Sequence, residues 1–410
     1  MRRRISWCAV LAVAVCAVLT ACSSSGGSNS KSSGSTTAAG SVIKFGVLYD
    51  ATGPLSAGQT TVTTGINAYV DKVNAAGGVD GHKLAFVTAD TGSTATGALT
   101  AAQKLVQQDG VFAIVEHSAV FIGAAPYLLQ AGIPVVGSAI DGTEWAEPSY
   151  TNLFAAVGVL DENYFESSIG SFMKSAGVTK CASIAYADLQ SSDLSAAGFV
   201  DTCQKAGLAQ GYLNTQVPVG STNVGPIALA IKNSGSNGIY LPVDPTTAFS
   251  LAIALKQLGV PMKAILIPDA YGGDMLASKV ATQVAQGIDF TSIGTPVESK
   301  TPAVNQMVAA LAKVGVTGDP TVAEQFGYMD MAAFVAGLQA DGGNANSASL
   351  IKAMGQITNY NANGLLSPDA INFRDHTPAS ACVWISQLSG SAFHPVASSP
   401  FCGPLVKVAS

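Results

Sequence analysis

The chain has 410 residues, 48% of them hydrophobic and only 11% charged, against about 25% charged in an average soluble protein. At about 150 residues per domain the length predicts two to three domains, enough to bury a full core. The 26 acidic residues outnumber the 20 basic ones, which excludes a partner that needs a Lys/Arg surface to replace phosphate counterions. No nucleic-acid role is expected.

Residues 1–21 read as an export signal. Arg2, Arg3 and Arg4 form a positive start, and Ile5 to Val18 form an apolar stretch shorter than the roughly 20 residues a bilayer span needs. Leu19-Thr20-Ala21-Cys22 follows and resembles a bacterial lipobox, in which the Cys22 thiol takes a lipid and becomes the new N-terminus. Of the 19 residues from Ser23 to Ser41, nine are Ser and four are Gly. Residues 22–41 are therefore expected to be a flexible tether of roughly 25 Å end to end, holding an extracytoplasmic body at the cell membrane. Arg2-Arg3 leaves the export route, general secretory or twin-Arg, open. Loss of the signal leaves 17 basic residues against 26 acidic, a net charge of −9, with Arg374 the sole arginine.

Four cysteines remain after the signal and Cys22: Cys181, Cys203, Cys382 and Cys402. An even set in an oxidising compartment implies disulfides. Three pairings are possible; Cys181–Cys203 with Cys382–Cys402 links neighbouring elements. A zinc site is the alternative, without CxxC spacing or a nearby His to support it.

From Ile43 the body alternates β-rich runs with helix-period segments. The spacing predicts strands at 43–49, 83–89, 111–115 and 133–136, and helices at 62–76, 96–108 and 122–130. After Leu160 the alternation restarts, with helices at 162–175, 195–206, 223–233, 246–258 and 275–285. Strands at 181–186, 208–216, 238–243, 264–268 and 288–293 lie between them. Three helical stretches follow, 303–314, 322–338 and 348–354, then a β-like run at 381–388. Regular βα alternation implies parallel sheets covered by helices on both faces. The expected class is α/β, with two doubly wound parallel-sheet lobes.

The motifs then resemble a family. Gly53-Pro54-Leu55-Ser56, the segment from Asn74 to Gly81, and Ala131-Gly132-Ile133-Pro134 occur in this order behind the lipobox. Together they resemble type I periplasmic binding proteins, in particular the branched-chain amino-acid (leucine, isoleucine, valine) group of ABC-transporter substrate-binding lipoproteins. The resemblance implies three crossover segments, near Gly158, Phe290 and Pro378. It implies a lobe of residues 42–158 plus 291–378 and another of residues 159–290 plus 379–410. It also implies a small-molecule solute, ABC permease subunits as partners, and no cofactor.

Parallel α/β sheets bind ligands outside the carboxyl ends of their strands. Ser118 stands at such a strand end ahead of a helix, where its hydroxyl and nearby N–H groups suit a ligand carboxylate or simply cap the helix; it matches the family's carboxylate-binding Ser. The resemblance adds Ala139, Ile140 and Asp141 after the next strand, the last where the family has a Thr. Asp141 also has capping-box spacing to Glu144; facing the cleft, it favours a cation. Pro268-Asp269-Ala270-Tyr271 aligns with a family segment whose Glu binds the ligand ammonium, which points to Asp269 and its neighbour Tyr271. Ser56 belongs to the first motif, and Ser191 replaces a family Tyr. Glu116-His117 beside Ser118 is unusual for the family. With a single arginine, an anionic ligand would rest on Ser118, backbone N–H groups and helix ends, so a solute with at most one carboxylate is expected.

Catalysis finds little support. Ser171 and Lys174 have SxxK spacing, but no KTG element follows, and no GxSxG, GxxxxGK or HExxH motif is present. His82, His117, His376 and His394 are isolated, so no metal centre is expected. The expected role is solute capture for an ABC importer. A sensing or docking lipoprotein for an amide or small organic acid is the alternative, and a secreted hydrolase a more distant one.

Overall fold

The computed structural model describes residues 40–158, 164–292, 294–375 and 381–407. The expected signal, nearly all of the tether, Cys22, His376 and the crossing at Pro378 lie outside the described residues.

The first half is wound around one parallel sheet. Its strands are β1 (Ile43–Tyr49), β2 (Leu84–Asp90), β3 (Ile114–His117), β4 (Val135–Gly137) and β5 (Leu153–Ala155), in the order β2-β1-β3-β4-β5. Helices α1 (Val62–Ala75), α2 (Ala95–Gln103) and α3 (Ala125–Gln130) connect them. The helix expected to run to Gln108 leaves the α form at Lys104 and ends in a π turn.

The second half begins with β6 (Tyr164–Glu166), which stands where the start of a helix was expected, and continues with α4 (Ser167–Ser175) and β7 (Lys180–Tyr186). There follow α5 (Gln190–Lys205), β8 (Ala209–Val217), α6 (Gly225–Ser234), β9 (Gly238–Tyr240), α7 (Pro245–Gln257) and β10 (Ala264–Ile267). The segment expected as one helix is two, α8 (Gly273–Ala277) and α9 (Lys279–Val284). Ser278 divides them in an extended conformation, its side chain accepting the Ala281 N–H as a new N-cap. β11 (Asp289–Ser292) then leads to α10 (Pro302–Lys313), α11 (Val322–Ala340) and α12 (Ser347–Met354). The end is β12 (Ala381–Ser389), β13 (Ala392–Pro395), β14 (Phe401–Gly403) and β15 (Leu405–Lys407).

The second sheet runs β13-β12-β11-β10-β9-β7-β8, with β14 also paired to β12. It is parallel from β8 to β11, and β12 and β13 extend it antiparallel. β15 pairs with β6. Disulfides join Cys181 to Cys203 and Cys382 to Cys402, tying β7 to α5 and β14 to β12.

Helix α11 returns from the second half to the first sheet. All but three of its 19 residues are buried, which explains why it reads as apolar all round rather than amphipathic. Thr321 and Glu324 close its N-terminus with a reciprocal capping box. It crosses α1 at two facing glycines. A Cβ at Gly65 would lie 2.0 Å from the Glu324 carbonyl oxygen, and one at Gly327 would lie 2.1 Å from that of Val62. Around this crossing Phe45 packs on Phe334 and Tyr69 on Tyr328, with ring centroids 4.9 and 4.8 Å apart.

Candidate functional site

A cavity of about 340 Å³ gathers the carboxyl ends of both sheets. The first sheet contributes Leu55, Ala57 and Gln59 after β1, Ala119 after β3, Ser138 to Ile140 after β4, and Val157-Gly158 after β5. The second contributes Tyr186 and Ser191 at and after β7, Asp244 after β9, Asp269 after β10 and Ser292 at the end of β11. Phe326 of α11, the loop around Asp369 and Trp384 of β12 complete the wall. This is where strand-end geometry places ligands in open α/β sheets.

Four expected residues line this cleft: Ala139, Ile140, Ser191 and Asp269. Four others do not, and each has work elsewhere. Ser118 is fully buried; its hydroxyl donates to Asp50 at 2.7 Å and its N–H to Glu116 at 3.1 Å. Asp141 accepts the Trp145 indole N–H at 2.8 Å and the Ile122 N–H at 2.5 Å, so it braces the turn after β4. The Tyr271 hydroxyl donates to Glu298 at 2.6 Å and accepts the Val297 N–H at 2.8 Å. Ser56 turns its hydroxyl back onto the Gly53 carbonyl at 2.8 Å.

The second-sheet wall is acidic. Asp269 is exposed at the cleft surface. Desolvation, with Asp244 as a nearby like charge, raises its carboxyl to about 6. Glu166 is half-buried and is raised to about 7 by desolvation and then by Asp369. Asp244 caps α7 through the Thr246 and Thr247 N–H groups at 2.8 and 3.3 Å and also accepts the Tyr186 hydroxyl. Tyr240 is 7% exposed. Burial raises its phenol above the ordinary tyrosine value, followed by the charges of Asp269 and Glu166.

Beneath the first-sheet wall lies a connected polar core. The His117 Nδ1 is 3.0 Å from the Ser138 hydroxyl, which is 2.8 and 2.9 Å from the two Asp330 oxygens; the His117 Nε2 meets Gln59. Burial drives the imidazole down to about 3, so it is neutral at pH 7, and raises the Asp330 carboxyl well above its ordinary value. The Ser138 hydroxyl donates to the Asp330 carboxyl and so links it to His117. Ser138 and Gln59 surface in the cleft, and the Phe326 ring, also in its wall, packs 4.8 Å from His117.

Glu116 is fully buried with one oxygen unpartnered and is raised well above the usual range by desolvation, then by Asp141 and Asp330. It fits because residue 137 is glycine: a Cβ there would lie 2.3 Å from its Oε1. Glu144 is raised to about 10 by burial and then by the charge of Asp141. One ion pair occurs among the described residues, Lys104–Asp109, and neither residue lines the cleft.

A Periplasmic binding protein family model matches residues 42–392. The chain belongs to the periplasmic binding protein family. This binding protein is 23% identical over 318 residues to a Leu/Ile/Val-binding protein homologue of Brucella melitensis, covering 76% of this chain and 83% of the relative. A solute-binding protein from R. palustris, solved with benzoate, superposes with a TM-score of 0.72 at 16% identity, covering 88% of this chain and 98% of the other. A branched-chain amino-acid transporter substrate-binding protein from Streptococcus pneumoniae, solved with isoleucine, gives 0.70 at 18% identity, covering 89% and 99%. The fold is the type I periplasmic binding protein fold. The protein is an extracytoplasmic solute-binding protein of the ABC-transporter type and not an enzyme.

The binding protein's cleft also contains residues that sequence reasoning missed: Gln59, Glu166, Tyr240, Asp244, Asp369 and Trp384. Asp244 was findable, since a strand followed by Asp-Pro marks a helix N-terminus at a strand end. Glu166 and Trp384 carry no local signal, because tertiary folding alone brings β6 and β12 to the cleft.

Proposed function

We propose that this protein is the lipid-anchored capture subunit of an ABC importer, taking a small amino-acid-like solute into the cleft between two lobes. The proposed lobes are residues 42–158 with 291–378 and residues 159–290 with 379–410, hinged near Gly158, Phe290 and Pro378. The observation that carries the reading is Asp269 on the wall of a cleft that gathers both sets of strand ends. An ammonium buried between closed lobes needs a paired carboxylate to offset its desolvation. Closure follows binding only to the extent that the solute prefers the closed state, and the closed form then docks on the permease. Cys22 is the proposed lipid attachment.

The test is denaturation of the purified full-length protein followed by mass spectrometry of released small molecules, with thermal-shift titration of each candidate. A released solute that raises the melting temperature with concentration by mass action is expected. Absence of any stabilising solute, together with turnover of a chromogenic ester or lactam, would refute the reading.

A further inference from the structure

We infer that the solute is a primary amine without a carboxylate, its ammonium held by Glu166 and Asp269 with the Tyr240 hydroxyl as third acceptor. The inference deepens the solute-capture reading and rests on it.

The first argument is charge. Among the described residues the lining includes four carboxylates, Glu166, Asp244, Asp269 and Asp369, and no Lys, Arg or His. Asp244 is committed to its helix cap and Tyr186, and Asp369 accepts the Cys382 N–H at 3.2 Å. Glu166 and Asp269 receive no hydrogen bond from the described residues. Tyr240, more than nine-tenths buried and lining the same cleft, has a hydroxyl with no partner among the described residues, and it senses both carboxylates. A primary ammonium has three N–H donors, and these three groups supply three acceptors. A metal ion is the poorer occupant: no group of three or more His, Cys, Asp or Glu among the described residues is arranged to hold one.

The second argument is the opposite wall, where a carboxylate of an α-amino acid would have to lie. Ser118 spends its hydroxyl on Asp50, and the Ala119 N–H donates to the same carboxylate at 2.9 Å. Behind that wall Asp50, Glu116, Asp141, Glu144 and Asp330 are buried with no cationic partner among the described residues, and His117 is neutral. A ligand carboxylate would join these acids with no positive charge to meet it, which is the costly arrangement in a poorly solvated site. The remaining lining combines uncharged polar side chains, such as Gln59 and Ser191, with apolar and aromatic surface from Leu55, Ile140, Phe326 and Trp384. That surface suits the aliphatic or aromatic body of an amine.

The experiment uses matched pairs on ligand-free full-length protein by isothermal titration calorimetry. The pairs are 3-methylbutylamine with leucine, 2-phenylethylamine with phenylalanine and agmatine with arginine; benzoate is added as an anion. At least one amine is expected to bind at least about tenfold more tightly than its parent amino acid. Glu166→Gln and Asp269→Asn should each weaken that amine by at least about thirtyfold. The amine–acid comparison is made on the wild type, so it stands even if a variant folds poorly. Binding of leucine, phenylalanine, arginine or benzoate in preference to every amine overturns the inference and leaves solute capture intact. Amine binding unchanged in both variants overturns the assigned site. No binding by any compound, with no solute released on denaturation, overturns the inference and the solute-capture reading together.

Discussion

Glu166→Gln should stabilise the empty protein, and only above acidic pH. The Glu166 carboxyl is raised from 4.5 to about 7 in the fold, by desolvation and by Asp369. Below its unfolded value both states carry the proton and the site costs nothing. As pH rises through the window from 4.5 to about 7, the unfolded chain ionises first and the fold is penalised. Above about 7 the penalty is complete. Roughly two and a half powers of ten in proton affinity, at about 1.4 kcal/mol each, cap it near ~3 kcal/mol. Cleft water reaches this half-buried group, so screening brings the expected value to about 1–2 kcal/mol. Unfolding entropy of about 2 cal/mol/K per residue converts that to a gain of about 1–3 °C for a body of this size. Scanning calorimetry of wild type and variant at pH 8 and pH 4.5, after removal of any bound solute, measures it. A gain at pH 8 that vanishes at pH 4.5 is expected. Equal effects at both pH values, or a loss at pH 8, would refute the electrostatic origin and leave a packing effect.

Amine affinity should fall as pH drops from 8 to 5, because the ligand requires Asp269 (about 6) and Glu166 (about 7) in their ionised forms. Asp244, Asp369 and Tyr240 face the same pair and add no positive charge, so calorimetry in buffers of different ionisation heat should show proton release on binding in this range. Gly65→Ala should destabilise the protein by about 1–3 kcal/mol through forced separation of α1 and α11, read as a lower denaturant midpoint; an unchanged midpoint would show that the helices yield freely. Metabolic labelling with a palmitate analogue should mark the wild type and not Cys22→Ala, and equal labelling of both would remove the proposed lipid attachment.

The fold was legible because its signals are local. The run from Ile43 to Tyr49 is β-rich over the whole length of β1, and the Val62, Ile66, Tyr69 and Val70 stripe is the buried face of α1. Boundaries moved where a side chain competes with the backbone, as at Ser278, or where the chain changes helix type, as at Lys104. The site was legible only in part. Asp269 sits at a strand end and is marked by its place in the chain. Ser118 is equally well marked, yet Asp50 takes its hydroxyl, a contact between residues 68 apart in sequence that no local pattern reports. Glu166 reaches the cleft because β6 pairs with β15 near the far end of the chain, so its role is written in tertiary structure alone.

The low charge of the chain acquires a meaning once its acids are located. Nine of its 26 acidic residues stand in the cleft wall or directly behind its first-sheet side, and the described residues supply no cation to any of them. Burial raises the carboxyls of those behind the wall above their ordinary values. Glu166 and Asp269, open to cleft water, ionise near neutral pH. Closure of an empty cleft would strip that water from two unpaired carboxylates, which is costly. Closure around an ammonium replaces the water with a counter-charge. In the proposed mechanism the same pair opposes closure without ligand and favours it with one, the differential affinity that a capture protein needs if a permease is to distinguish loaded from empty.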